Sequence, residues 1–278
     1  MTALHDGKAS APATPAPARR SPWLHPGRIA IAVAVVALLV WAFQGIGFRG
    51  LGASWPQVLA AIGRGFAEPD WAYVYDGSGE DLLSALLVTV AIAFFGTVLA
   101  VFFAAPLAFL AARRPGIRRI LLPGVTGVGL TVLRTFPDLI LAVIFVVIVG
   151  PGPFAGALAI GVGSIGMLGR LFAEEIEKLP PGPDEALTAA GAARAHVLVY
   201  AQLPRLVPHF LSLALNRFEI SVRSAAILGM VGAGGIGTPI LFAVSSRSWD
   251  RVAIILLGVV VTITLIDAVS GALRRRLR

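Results

Sequence analysis

Between Asp81 and Arg113 the chain runs for about 30 residues without a charged side chain, well past the roughly 20 that carry an α-helix through a 30 Å hydrocarbon layer. A segment in lipid must satisfy its own backbone polar groups, and a helix does so without neighbours. This run therefore reads as a tilted membrane span with one end projecting. Similar apolar stretches cover residues 29–43, 120–149, 154–172, 209–232 and 252–270. With 57% hydrophobic and 14% charged residues, the chain has too little charge to coat a soluble domain, which argues against a cytoplasmic enzyme. The expected fold class is all-α integral membrane with about six transmembrane helices.

The formal charge of +8 comes from 21 Arg and two Lys, grouped between the apolar runs. Clusters at span ends orient a membrane protein, so nucleic acid is not an expected partner. Six spans place both termini on one side. That side, made of the N-terminal tail, the loops 113–119 and 173–208 and the C-terminus, holds 15 Lys and Arg, against Arg49, Arg64, Arg247 and Arg251 opposite. Both termini are thus expected in the cytoplasm. Residues 1–28, rich in Ala, Pro and basic side chains, read as a disordered cytoplasmic tail ahead of a transmembrane domain over 29–278. A cleaved signal would begin its apolar region earlier, so 29–43 reads as a retained first span. Outside, Ser54 caps an amphipathic segment, WPQVLAAIGRGF, with Trp71, Tyr73 and Tyr75 as interfacial anchors. Pro137 is expected to break or kink the third apolar stretch near its middle.

The cytoplasmic loop 173–208 carries more design than a connector needs. Pro181, Gly182 and Pro183 open a helix with Asp184 and Glu185 in its first turn, where carboxylates suit the positive end of the dipole. Gly191 permits a turn, Ala192 to Leu203 resume a helix, and Pro204 is expected to stop it. By shape alone this is a bent lever for a partner's groove or an amphipathic connector on the membrane surface. The spacing resembles the EAA loop of the permease subunits of ATP-binding cassette importers: Glu185, Ala186 and Leu187, three residues, Gly191, nine residues, then Ala201, Gln202, Leu203 and Pro204. Leu187 and Ala201 depart from that pattern but remain apolar. The segments RTFPDLILAVIFV, GPGPFAGALAIGVGSIGMLGRLFAEEIE and NRFEISVRSAAILGMVGAGGIG extend the resemblance to phosphonate importer permeases over about residues 80–275.

The resemblance implies a type I importer permease fold at the bacterial inner membrane, with residues 181–204 as the coupling segment seated in a cytoplasmic ATPase. It assigns Glu185, Ala186, Leu187, Gly191, Leu203 and Pro204 to that contact. It also implies a homodimer in membrane lipid, two ATPase subunits holding ATP and Mg, and an external phosphonate-binding protein. The chain has no P-loop of its own, so no cofactor is expected on it. Importers of methionine, an osmolyte or another small solute share the same loop. A membrane enzyme such as a lipid phosphatase would need a basic and histidine cluster at one face.

Within the spans, charged and polar residues face either the bundle interior or a watery cavity, because a lone charge at mid-bilayer costs roughly 2.5–3.5 kcal/mol on insertion scales. Arg134 and Asp138, four apart, share a helix face unless Pro137 breaks the register. Glu219 and Arg223 have the same spacing, with Asn216 three residues earlier. These five either neutralise one another to fix packing or line a route for a small anion. Asp267 is expected to be compensated by the arginines after it, Arg170 to snorkel, and Ser164 to let helices approach. Gly232, Gly234, Gly235 and Gly237 spell G-x-G-x-x-G, but after an apolar helix instead of a strand. They read as a bend or gate, with no dinucleotide site. No catalytic nucleophile is expected, and the four histidines show no metal-ligand spacing.

Overall fold

The computed structural model describes residues 26–45, 55–77, 79–112 and 121–277. Residues 1–25 of the expected tail, Arg49, Ser54 and the Arg113, Arg114, Arg118 and Arg119 cluster lie outside them. Two units are distinguished, Met1–Pro56 and Gln57–Arg278. The first contains α1, Pro26–Gly45, whose apolar residues include Val35, Leu38 and Trp41, all exposed. α1 takes in three residues assigned to the tail, since Pro26 can open a helix at no hydrogen-bond cost.

The described residues of the second unit form helices joined by turns, with no strand among them. α2 is Trp55–Ala67, followed by a 3-10 turn at Trp71–Val74. α3 is Leu82–Ala111, capped by Asp81, whose carboxylate accepts from the Ser84 N–H at 2.8 Å. The third apolar stretch divides into α4, Leu121–Leu133, and α5, Asp138–Val149. The two meet at 83°. Pro137 holds an extended backbone at the N-cap of α5, so the break falls where the ring forbids a continuous helix. α6 is Pro153–Lys178, reaching six residues past the expected span because Ala173 and Ile176 remain buried on its inner face.

α3 and α6 make the central pair, and α4, α5 and α9 pack around them. Small residues permit this proximity. A Cβ on Gly166 would lie 2.7 Å from the Leu130 carbonyl oxygen, so α4 rests on α6 backbone to backbone. Beneath, Phe172 of α6 stacks on Phe210 at 4.0 Å between ring centroids.

The coupling segment forms α7, Gly182–Ala189, a turn at Gly191 and the short α8, Arg194–His196. A π-helical stretch, Val197–Gln202, leads directly into α9, Leu203–Leu228. Pro204 therefore does not stop a helix. It occupies the first turn of α9, where its missing N–H does least harm, and the wider π turn before it makes room for the ring. The helix expected to start at His209 starts six residues earlier, with Pro208 inside it. A 3-10 turn, Gly229–Val231, α10, Gly237–Ser245, and α11, Trp249–Leu277, complete the unit.

Among the described residues, α3, α6 and α11 are long and apolar enough to cross a membrane, and the bent α4–α5 pair makes a fourth if taken as one span. The expected six are not reached on this criterion. The apolar part of α1 is short, and α9 carries Arg205, Arg217, Glu219 and Arg223.

Candidate functional site

Arg217 occupies the interior of the bundle. Its Nε donates to Ser164 Oγ at 2.7 Å, its Nη1 meets Met167 Sδ at 3.6 Å, and its Nη2 donates to Asp138 Oδ2 at 3.2 Å. Ser224 adds a hydroxyl to the same carboxylate oxygen at 3.3 Å. Asp138 stands in the first turn of α5, where the helix dipole also favours its charge. Gly163 is required beside it, since a Cβ there would collide with Asp138 Oδ1. One guanidinium thus ties α9 to α6 and α5, with each of its three nitrogens engaged by protein.

Arg134 and Asp138 do not share a face. The 83° break separates them, Asp138 turns to Arg217, and Arg134 is exposed with no carboxylate partner among the described residues. Glu219 and Arg223 do not pair either. Glu219 Oε1 accepts from Arg274 Nη2 at 2.6 Å, and Asp267 Oδ2 accepts from Arg223 Nη2 at 2.7 Å. Asp267 is therefore answered by α9, while the arginine after it on α11 answers Glu219. Two crossed ion pairs zip the antiparallel helices α9 and α11. Asn216 is half-buried beside this set. Arg170 pairs with Glu174 along α6.

The depth of these groups follows from their neighbours. Thr97, at the middle of the 30-residue α3, donates to Ser221 Oγ at 3.2 Å. Arg217 and Arg223 flank Ser221, about 6 Å and 3 Å along the helix axis respectively. Both therefore lie level with the middle of α3.

Gly232, Gly234 and Gly235 have φ values of 87°, 78° and 75°, a left-handed region that L side chains rarely adopt. The turn is pinned between helix ends. The Gly152 N–H donates to the Gly232 carbonyl at 2.8 Å, and the Ile236 N–H donates to Thr89 Oγ1 at 2.8 Å. A Cβ at Gly234 would lie 2.8 Å from Pro153 N. This is a tight backbone junction of α3, α6 and α9, with no strand before it.

The coupling segment is braced at its elbow. Gly191 takes φ 81°, and Gln202 Nε2 donates to Asp184 Oδ2 at 2.6 Å across the bend. No α7 residue is buried; Glu185, Ala186, Leu203 and Pro204 are exposed, and Leu187 is half-buried. Arg217, Ser164, Gln202 and Arg274 matter here but were not among the candidates. Arg217 had a signal as a charge inside an apolar run, and Arg274 as one of the arginines after Asp267.

A helical bundle with charges level with the middle of α3, joined by one continuous helix to an exposed lever, has the build of a membrane-embedded transport component. The chain belongs to the family of binding-protein-dependent transport system inner membrane components, whose model matches residues 104–278. It is a multi-pass permease subunit of an ATP-binding cassette importer, a class that works with ATPase and substrate-binding partners. It is 37% identical to the phosphite transport system permease protein PtxC of Stutzerimonas stutzeri, over 92% of this chain and 90% of that one. It is also 36% identical to the phosphate-import permease protein PhnE of Mycolicibacterium smegmatis, over 73% of this chain and 38% of that one. A chain of the MetNI methionine transporter in an inward-facing conformation shares the fold, with a TM-score of 0.64 and 24% identity, covering 73% of this chain and all of that one.

Proposed function

We propose that this permease carries a phosphonate or a related phosphorus oxyanion across the bacterial inner membrane. It does so as a homodimer with six spans per chain and both termini in the cytoplasm. Each copy presents α7 and the Gly191 bend to one ATPase, with ATP and Mg held by the ATPase and no cofactor on this chain. An external binding protein delivers the solute. ATP-driven closure of the ATPases moves the two levers, and α9 carries that motion to Arg217, Glu219 and Arg223; hydrolysis restores the inward state. Glu185, Ala186, Leu187, Gly191, Leu203 and Pro204 form the ATPase contact. Asp138, Asn216, Glu219, Arg223 and the glycine turn belong to the pathway side, as does Arg134 at the α4–α5 bend.

The observation that carries this reading is the continuity from the braced, exposed lever into α9. A bent element fixed by the Asp184–Gln202 bond transmits displacement instead of absorbing it. The phosphorus chemistry rests on similarity to the phosphite and phosphate permeases. Uptake of labelled phosphite, methylphosphonate and phosphate is measured in a deletion strain complemented with the wild type or with Glu185→Lys. The wild type restores uptake of at least one of them. Glu185→Lys loses both co-purification with the ATPase and uptake, and retention of both would remove the coupling assignment. A wild type that carries methionine or an osmolyte instead would overturn the substrate class.

A further inference from the structure

Arg223 and Asp267 form an ion pair that the fold leaves open, with 48% and 40% of their side-chain surfaces exposed. Other exposed pairs sit at helix ends: Arg170–Glu174 and Lys178–Glu175 in the last turns of α6, and Arg251–Asp70 beside Trp71. Arg223 is flanked by Val222 and Ser224, five residues from the end of α9, and Asp267 by Ile266 and Ala268, ten residues from the end of α11. Arg223 also lies within two residues of Ser221, which meets Thr97 at the middle of α3. Charges inside a membrane bundle pair with one another or face water or another polypeptide. A pair left partly unsatisfied favours water or another polypeptide on this face of α9 and α11.

The pair is also incomplete. It uses one guanidinium nitrogen and one carboxylate oxygen, and among the described residues Arg223 has no second partner. Asp267 Oδ1 is buried with no hydrogen-bond partner. Arg217, by contrast, engages protein through all three nitrogens and is buried, and Arg274 is committed to buried Glu219. A guanidinium with free N–H groups on its open side matches two oxygens of a tetrahedral oxyanion in the bidentate manner.

Building on the proposed substrate class, we propose that Arg223 is the arginine that receives the oxyanion in the translocation pathway, and that Asp267 is the built-in anion that occupies it between transport events. The incoming oxyanion meets the open side of the guanidinium and loosens the bond to Asp267. When the solute leaves, the carboxylate returns, so the path never holds a bare cation that would retain the anion.

The test uses the full transporter, expressed with its own ATPase and binding protein in cells lacking other phosphorus-oxyanion uptake. Initial rates are read with phosphite, methylphosphonate and phosphate, and assembly is read as co-purification of the ATPase. Arg223→Gln is expected to lower the maximal rate about tenfold or more, the scale of one charge-assisted hydrogen bond. Arg223→Lys keeps more of the rate, and Asp267→Asn loses less than Arg223→Gln. The double variant Arg223→Gln/Asp267→Asn stays as slow as Arg223→Gln alone, because neutralising both charges does not replace the oxyanion contact. Recovery of wild-type uptake in the double variant would show that the pair only neutralises charge between helices or copies, and would overturn the proposal. Unchanged uptake in Arg223→Gln would overturn it too. Should Arg223→Gln fail to assemble, the double variant is read against the wild type: slow uptake there, with an intermediate rate in Arg223→Lys, supports the proposal, and wild-type uptake overturns it. If the assembled wild type carries neither phosphite nor methylphosphonate nor phosphate, the substrate class itself fails, and this assignment with it.

Discussion

Arg217 shows how one side chain can fix three helices. With its guanidinium buried against Asp138, Ser164 and Met167, Arg217→Leu strands the Asp138 carboxylate. Breaking a buried pair in this way costs about 3–5 kcal/mol. The expected outcome is a marked loss of folded, extractable protein in thermal unfolding, partly restored in Arg217→Leu/Asp138→Leu, where no charge is left unpaired. Asp81 offers a milder case outside the spans. The Ser84 hydroxyl and N–H donating to its carboxylate hold its pKa below the ordinary value, with burial opposing. A carboxylate depressed by folding stabilises the fold above its unfolded pKa of about 3.9, and that contribution is lost as pH falls through the folded value. Asp81→Asn keeps the cap but not the charge. Its melting temperature should lie below that of the wild type at neutral pH and converge with it in that acid range.

At the scale of elements, the coupling segment is legible in the residues alone because its signals are local. Prolines and acids open α7, and a glycine turns the chain. What the residues do not disclose is that Pro204 begins α9 instead of ending a helix, since that depends on the π turn before it and on the burial of Val197, Ala201 and Leu206. Gly191 has open space around its Cβ position but φ 81°, so Gly191→Val meets backbone strain and no collision. A left-handed residue other than glycine costs about 1–2 kcal/mol. Hydrogen exchange over residues 182–202 should accelerate in Gly191→Val, and uptake should fall further than ATPase association. Gln202→Leu, which removes the brace to Asp184, should show the same pattern.

For the whole molecule, the proposed homodimer predicts a definite stoichiometry, with one lever per chain for each of two ATPases. Mass measurement of the purified complex should return two permeases and two ATPases, and a second, different permease in stoichiometric amount would replace the homodimer with a mixed pair. By itself the sequence determined the apolar stretches, the interruption of the third, the bent cytoplasmic segment and the presence of charge inside α9, because hydropathy, proline and helix-end chemistry act over a few residues. Only the tertiary structure decided which charges meet. Arg134 and Asp138 are parted by an 83° bend, Glu219 turns to Arg274, and Asp267 turns to Arg223. An i, i+4 spacing proposes a partner on the same helix. In a bundle held together by small residues, a neighbouring helix comes close enough to offer a better one, and the crossing of α9 with α11 is set by packing along their whole length, which no local pattern encodes.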